Sequence, residues 1–179
     1  MAKDVPCSRF SYFSSRTQQT DFAPTWDELP ASQDVEKFFP ESAPSKDDVW
    51  WLDVSDPSPQ DVEDVSQILS IHPLTAEDVV ARETREKVEV FRDYYLISFQ
   101  TLVPSEAEDE TPSSAGVYIL VFRQGAVTFS PRDSGHVARV RNRIRKMHAP
   151  SVLSVDWICY AMMYATRLWD YVHDESRPR

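Results

Sequence analysis

The sequence predicts an α/β protein in which a central mixed β-sheet is flanked by α-helices. Short apolar and β-branched segments alternate along the chain with longer segments in which apolar residues recur every three or four positions. Prolines and polar clusters separate these segments, as they do between structural elements. With 179 residues, 41% of them hydrophobic, the chain is long enough to form one domain with a sizeable core.

Residues 1–48 are predicted to be an N-terminal extension of proline-rich loops with one edge strand. Seven of the thirteen prolines precede residue 60, which favours loops and short extended pieces. The exception is residues 8–14, where three aromatic side chains among serines indicate a strand. Residues 49–54 then form a short apolar run, typical of a buried strand, in which Trp50 and Trp51 are expected to be core aromatics.

Two capping patterns predict the first two helices. Ser58 is followed by a proline and, three residues later, by Asp61, which predicts a helix start, and apolar residues at helical spacing continue to about residue 70. Thr75 and Asp78 repeat the pattern and predict a second, short helix that ends near residue 82.

Four further strands are predicted as two pairs. Residues 88–91 and 94–103 are rich in β-branched and aromatic side chains. Residues 104–116 carry four acids and no apolar periodicity, which predicts a solvated, mobile loop. Residues 117–122 and 126–129 then resume strand character.

A turn at Gln124 and Gly125 is expected to join the second pair as a hairpin. Glycine supplies the backbone freedom that tight hairpin turns require.

Two helices complete the fold. The first spans residues 136–147, with an apolar stripe and five cations between Arg139 and Lys146, and the two histidines that bracket it are expected to be exposed. The second runs from about residue 154 to residue 172. Its predicted buried positions are Trp157, Ala161, Tyr164, Ala165 and Leu168.

Composition excludes several classes of function. A net charge of −10 disfavours nonspecific attraction to nucleic acid and favours a surface that gathers cations. The two cysteines, Cys7 and Cys159, lack metal or redox spacing, which fits a reducing cytosol. We see no apolar run long enough to span a bilayer, no secretory signal and no enzyme motif. We therefore expect no catalytic residues and no cofactor-binding residues of an enzyme.

The segment from Ile71 to Asp78, IHPLTAED, is the most informative in the chain. It precedes REKVE at residues 85–89 and the pair Tyr94 and Tyr95, with WLDV before it and DWICYA after it. The order of these motifs closely resembles that in the cytoplasmic domain of CorA-type magnesium transporters, and their residues are most similar to the fungal aluminium-resistance-type (Alr-like) branch. The resemblance implies a CorA-like cytoplasmic α/β domain over residues 49–173, followed by a polar tail at 174–179.

The resemblance also implies a site. In that family the acids that end the HPL-x-x-ED motif contribute to regulatory divalent sites at subunit boundaries of a pentamer, and Asp78 and Glu77 match them. Spacing alone favours a structural role, because acids in the first turn of a helix stabilise it; only the resemblance favours a metal site. The family's further acids after the DWICYA run are not matched, since residues 163–167 read MYATR. His72 is interpreted as a structural residue that fixes a turn.

The resulting hypothesis is a cytosolic Mg²⁺-sensing domain of a CorA-like transporter, with weakly bound regulatory Mg²⁺ and no pore of its own. The resemblance implies a pentamer in a full-length transporter that reaches the membrane through helices beyond residue 179. We expect the isolated domain to be a monomer, on the cytoplasmic side of the plasma membrane rather than the vacuolar membrane. An alternative remains open, in which the basic helix 136–147 binds anionic lipid or an acidic partner.

Overall fold

The computed structural model describes residues 8–33, 49–103, 113–132, 135–147 and 153–173, with side chains of the last segment described up to Thr166. Its strands are β1 (Phe10–Ser14), β2 (Gln19–Ala23), β3 (Trp50–Ser55), β4 (Lys87–Val90), β5 (Tyr94–Val103), β6 (Ser113–Phe122) and β7 (Gly125–Ser130). Its α-helices are α1 (Pro59–Leu69), α2 (Pro73–Val80), α3 (His136–Arg145) and α4 (Val155–His173). This alternation confirms the predicted α/β class.

The described strands form one mixed sheet in the order β2-β1-β3-β7-β6-β5-β4. β3 and β7 run parallel at its centre, and the other neighbours are antiparallel. Trp50 and Trp51 lie on opposite faces of β3, only 4% and 1% exposed, because successive side chains of a strand alternate between faces. Both were predicted as core aromatics, which the structure confirms.

The N-terminal extension differs from the prediction of one edge strand. β1 lies inside the sheet, between β2 and β3, and β2 forms the edge. Phe10 on β1 is fully buried, whereas Phe22 on β2 is 48% exposed. The polar composition of β2, QTDFA, shows little of the β-branched character that marks a strand. Only pairing with β1 makes this segment a strand.

Helix α1 begins as its capping pattern predicts. The Ser58 side chain accepts a hydrogen bond from the backbone of Asp61, and the Asp61 carboxylate accepts one from the backbone of Ser58. Asp61 also pairs with Arg9, whose Nη1 is 2.7 Å from Oδ2. The cap therefore connects α1 to the start of β1, a contact between distant parts of the chain.

Helix α2 begins earlier than predicted. His72 is the N-cap, and its Nδ1 accepts a hydrogen bond from the backbone of Leu74 at 3.2 Å. Thr75, which was predicted to be the cap, lies inside the helix and shares a hydrogen bond with the Tyr94 hydroxyl. The same hydroxyl accepts from the His72 backbone. A tyrosine of β5 thus selects the start of α2, and His72 has the structural role expected of it.

The acidic loop was predicted to extend to residue 116, but β6 begins at Ser113. Residues 113–116 pair with residues 100–103 of β5, so they are strand. The remainder of the predicted loop, 104–112, lies outside the described residues. The predicted hairpin between β6 and β7 is confirmed, although Gly125 is the first residue of β7 rather than part of the turn.

Helices cover both faces of the sheet and create two apolar cores. α1 and α2 pack on one face, against residues such as Leu52 and Leu120. α3 and α4 pack on the other face, against Trp51 and Ile119. No described helix combines the length and the apolar character needed to cross a bilayer.

Two predictions about α3 and α4 were wrong. His136 was expected to be exposed but is fully buried, with Nε2 2.8 Å from the Thr101 hydroxyl of β5. Burial lowers the pKa of His136 to about 4, with a further contribution from Arg139. Tyr164 was expected to be buried but is 46% exposed. The apolar pattern of α4 could not show that α3 leaves Tyr164 partly uncovered.

Candidate metal site

The two predicted metal ligands lie in the second half of α2. Glu77 is exposed, and the side chain of Asp78 is 19% exposed. Consecutive positions on a helix differ by about 100°, so the two carboxylates leave α2 in different directions. Because His72 and Tyr94 fix the start of the helix, both acids have a defined position relative to the sheet.

Asp78 is paired with a lysine of the neighbouring edge strand. Lys87 Nζ lies 2.7 Å from Asp78 Oδ2 and 3.2 Å from Glu89 Oε2. Lys87 and Glu89 are two residues apart on β4, so they share the sheet face that α2 covers. The structure therefore brings together three residues, of which only Asp78 was predicted as part of a site.

The acids of this site favour the protonated forms of the groups beside them. The hydrogen bond to Asp78 raises the pKa of the Lys87 ammonium above its usual value. Burial raises the pKa of Tyr118 to about 12, and the charges of Asp78 and Glu83 add to the shift. The Tyr118 hydroxyl donates to the Glu83 carbonyl oxygen at 2.7 Å. Deprotonation of Tyr118 is disfavoured because it would add another negative charge to this region.

The donors at this site fit a hard divalent cation in type but not in number. Carboxylate oxygens suit Mg²⁺, which usually keeps several waters and takes one or two carboxylates. Among the described residues, no three His, Cys, Asp or Glu side chains are arranged as a metal site. Glu77 and Asp78 could therefore provide part of a coordination shell, with water or another protein surface completing it.

The region in which a further acidic ligand was sought shows none up to Thr166. The guanidinium carbon of Arg143 lies 5.7 Å from the centroid of the Tyr164 ring, and this ring stacks with Tyr160. Met163 packs against the apolar core of α3 and α4. Helix α4 lies on the sheet face opposite α2, so its described side chains, which end at Thr166, do not approach Asp78.

Sequence reasoning missed Lys87 and Glu89 as parts of the site. A signal was present, since KVEV at residues 87–90 alternates charged and apolar residues, which places both charges on one face of a strand. The pattern could not show that α2 passes over that face.

A second charged cluster lies on the opposite side of the sheet and was also missed. Asp53, 2% exposed, accepts hydrogen bonds from the hydroxyls of Thr128 and Ser130 at 2.5 and 3.2 Å. Arg141 of α3 approaches its other oxygen at 3.5 Å and donates to Ser11. Every member of this cluster has a partner within the chain, so the cluster fixes α3 on the sheet.

Comparisons with known proteins agree on one family. The family model described as CorA-like Mg²⁺ transporter protein matches residues 46–166. Magnesium transporter ALR2 of Saccharomyces cerevisiae is 37% identical over 156 residues, which are 87% of this chain and 18% of that protein. Magnesium transporter ALR1 of the same yeast is 35% identical over 156 residues, with the same coverage. This chain thus spans less than a fifth of the length of these relatives.

Solved structures show the same fold at low sequence identity. The soluble domain of CorA from Methanocaldococcus jannaschii has a TM-score of 0.64 at 13% identity, and the match covers 94% of this chain and 59% of that one. The cytoplasmic domain of ZntB from Vibrio parahaemolyticus has a TM-score of 0.55 at 13% identity, and the match covers 72% of this chain and 51% of that one. These likenesses concern the sheet and helix arrangement.

Proposed function

Because this chain belongs to the CorA-like Mg²⁺ transporter family, we propose that it is the cytosolic regulatory domain of a magnesium transporter and that it senses Mg²⁺ through Glu77 and Asp78. The observation that carries the proposal is that a cation, the Lys87 ammonium, already lies between the carboxylates of Asp78 and Glu89. Helix α2 exposes Glu77 to solvent, whereas the Asp78 side chain is 19% exposed and its Oδ2 is buried beside the Lys87 ammonium.

The proposed mechanism is electrostatic. The net charge of −10 means that copies of this domain repel one another when they assemble around an axis. Mg²⁺ shared between Glu77 and Asp78 of one copy and oxygens of the next would offset that repulsion. Carboxylates without the ion push the copies apart, so ion occupancy selects between a tight and a loose arrangement. The pentamer, its place on the cytosolic side of the plasma membrane and the coupling to a pore are parts of this proposal.

The first test removes both charges from the site. Glu77→Gln with Asp78→Asn should abolish the rise in melting temperature that Mg²⁺ produces in the wild type. At about ten times the dissociation constant, binding to the folded state adds about 1.4 kcal/mol, which is roughly 4 °C for a chain of this size. Differential scanning fluorimetry with Mg²⁺, at a constant ionic strength set with NaCl, measures the change.

A matched control exists on α1. Glu63 and Asp64 form a second Glu-Asp pair outside the core, and each accepts a side-chain hydrogen bond from a glutamine one turn away. Glu63→Gln with Asp64→Asn makes the same change in net charge and should preserve the Mg²⁺ response. If the α2 variant responds like the wild type, or if the α1 variant loses the response equally, the assignment of Glu77 and Asp78 is wrong.

The alternative function, binding of the basic helix to anionic lipid or an acidic partner, has less support. Arg141 is held by buried Asp53, Arg139 donates to the Ala165 carbonyl oxygen at 3.4 Å, and Arg143 lies over the Tyr164 ring. Arg145 also donates to Asn142 Oδ1 at 3.5 Å, so four of the five cations of the helix segment make contacts within the chain. Cations engaged in this way stabilise the packing of α3 and are less available to a membrane surface.

A further inference from the structure

We propose that Lys87 is a built-in competitor for the divalent ion at Asp78, so that an ion binds by displacing the Lys87 ammonium from this carboxylate. This inference rests on the proposed function and adds to it a reason for weak binding. It assigns to Lys87 a regulatory role, with no part in ligating the ion.

The geometry places the ammonium where a divalent ion would have to lie. Lys87 Nζ is within 2.7 Å of Asp78 and 3.2 Å of Glu89, so these carboxylate oxygens, from two different elements, are within about 6 Å of each other. Asp78 Oδ2 is buried beside the Lys87 ammonium, so a divalent ion that reaches this oxygen at a ligand distance of about 2.1 Å has to take the place of the ammonium, whose charge repels it. The ion and the ammonium therefore exclude each other.

Lys87 is able to leave. It lies on β4, the edge strand of the sheet, and its side chain is 20% exposed. Lysine carries its charge on a flexible four-carbon stem and its ammonium is strongly hydrated, so rotation toward water restores the solvation that the ion pair replaced. The Glu89 side chain, at 41% exposure, also borders solvent and can remain paired with the lysine as it moves outward.

The charge balance gives the direction of the effect. Glu77, Asp78 and Glu89 bring three negative charges, and Lys87 cancels one of them. Removing the lysine charge both strengthens the attraction for a cation and eliminates the exchange step. Two unit charges about 4 Å apart at a protein surface interact strongly before solvation costs, so we expect at least about a tenfold gain in affinity.

The experiment compares Lys87→Met with the wild type in the full chain. Mn²⁺ is the probe, because electron paramagnetic resonance measures the free ion directly, and Mg²⁺ competition follows in the same samples. Lys87→Met should lower the Mn²⁺ dissociation constant at least about tenfold, whereas Lys87→Arg, which keeps the charge, should remain close to the wild type. Without added divalent ion, the melting temperature of Lys87→Met should be lower than that of the wild type. Saturating Mg²⁺ should reduce or reverse this difference in melting temperature.

Lys146→Met is the matched control. It makes the same change in net charge at the C-cap of α3, on the other face of the sheet, and should leave the dissociation constant unchanged. If Lys87→Met binds Mn²⁺ no more tightly than Lys146→Met, while Glu77→Gln with Asp78→Asn still abolishes binding, the competitor role is wrong and the sensing site stands. If Mn²⁺ affinity is indifferent to Glu77 and Asp78 as well, the proposed function fails together with this inference.

Discussion

Replacing Arg141 by methionine is expected to destabilise the protein by about 3 to 5 kcal/mol near neutral pH. The change leaves Asp53, which is 2% exposed, without its cation, and breaking a buried ion pair from one side costs about this much. It also removes the guanidinium from its contacts with the Phe22 and Trp51 rings, whose centroids lie 5.1 and 5.9 Å from Cζ. Urea denaturation followed by circular dichroism measures the loss.

The pH dependence of this loss of stability distinguishes the effect of an unpaired buried charge from the effect of lost packing. Burial raises the pKa of Asp53 above its usual 3.8, while Arg141 and the hydroxyl hydrogen bonds lower it. A carboxyl with a raised folded-state pKa contributes stability that is present below the unfolded pKa and lost as pH rises through the folded pKa. Without Arg141 the folded pKa rises further. The deficit of the variant should therefore be smallest near pH 4 and grow toward neutrality.

The control removes the Asp53 carboxylate, which Arg141→Met leaves buried without a cation. Asp53→Asn in the Arg141→Met background should recover part of the lost stability at pH 7 and should flatten the pH dependence, because no carboxylate remains to be desolvated. A deficit below about 1 kcal/mol that does not change between pH 4 and 7 would mean that Arg141 and Asp53 do not form the buried pair described here.

The second large effect is expected from Gly125→Ala. A Cβ at this position would lie 2.0 Å from Cδ2 and Cε2 of Trp50, its partner on the parallel strand β3. Trp50 is 4% exposed and packs against Phe122 at a centroid distance of 5.7 Å, so its ring has little room to move. Overpacking a core costs about 1 to 3 kcal/mol, and we expect the upper end. A thermal melt provides the measurement.

Gly116→Ala is the matched substitution in the neighbouring strand. Its Cβ would lie 2.8 Å from the Tyr118 hydroxyl oxygen, a much smaller overlap than the 2.0 Å approach to Trp50 at Gly125. We expect a loss of about 1 kcal/mol or less. Trp50→Leu should relieve Gly125→Ala, so that the double variant is more stable than the two separate losses predict. Equal losses in both glycine variants would contradict the steric explanation.

The candidate site shows how far sequence information extends. The resemblance of residues 71–78 to a family motif pointed to Glu77 and Asp78, and the family itself is confirmed. Whether these acids bind a metal stays a prediction. The ion pair with Lys87 could not be derived from sequence, because Lys87 follows Asp78 by nine positions in a different element and their contact depends on how α2 crosses β4.

Local physical chemistry determined the elements that the sequence predicted well. The start of α1 follows from a reciprocal cap between Ser58 and Asp61, which needs only residues three apart. The strands β3, β5 and β7 follow from apolar and β-branched runs that can become buried only in a sheet. These signals act over a few residues, so the sequence by itself determined the α/β class and most element positions.

Tertiary structure decided the features that depend on distant partners. Hydrogen bonds from Tyr94 make His72, rather than Thr75, the N-cap of α2. Pairing with β1 makes β2 a strand. Packing between β5 and α3 buries His136. In each case a polar group gains a partner or a surface from an element far away in the chain. The free energy of such contacts depends on the folded arrangement, which no local pattern of residues contains.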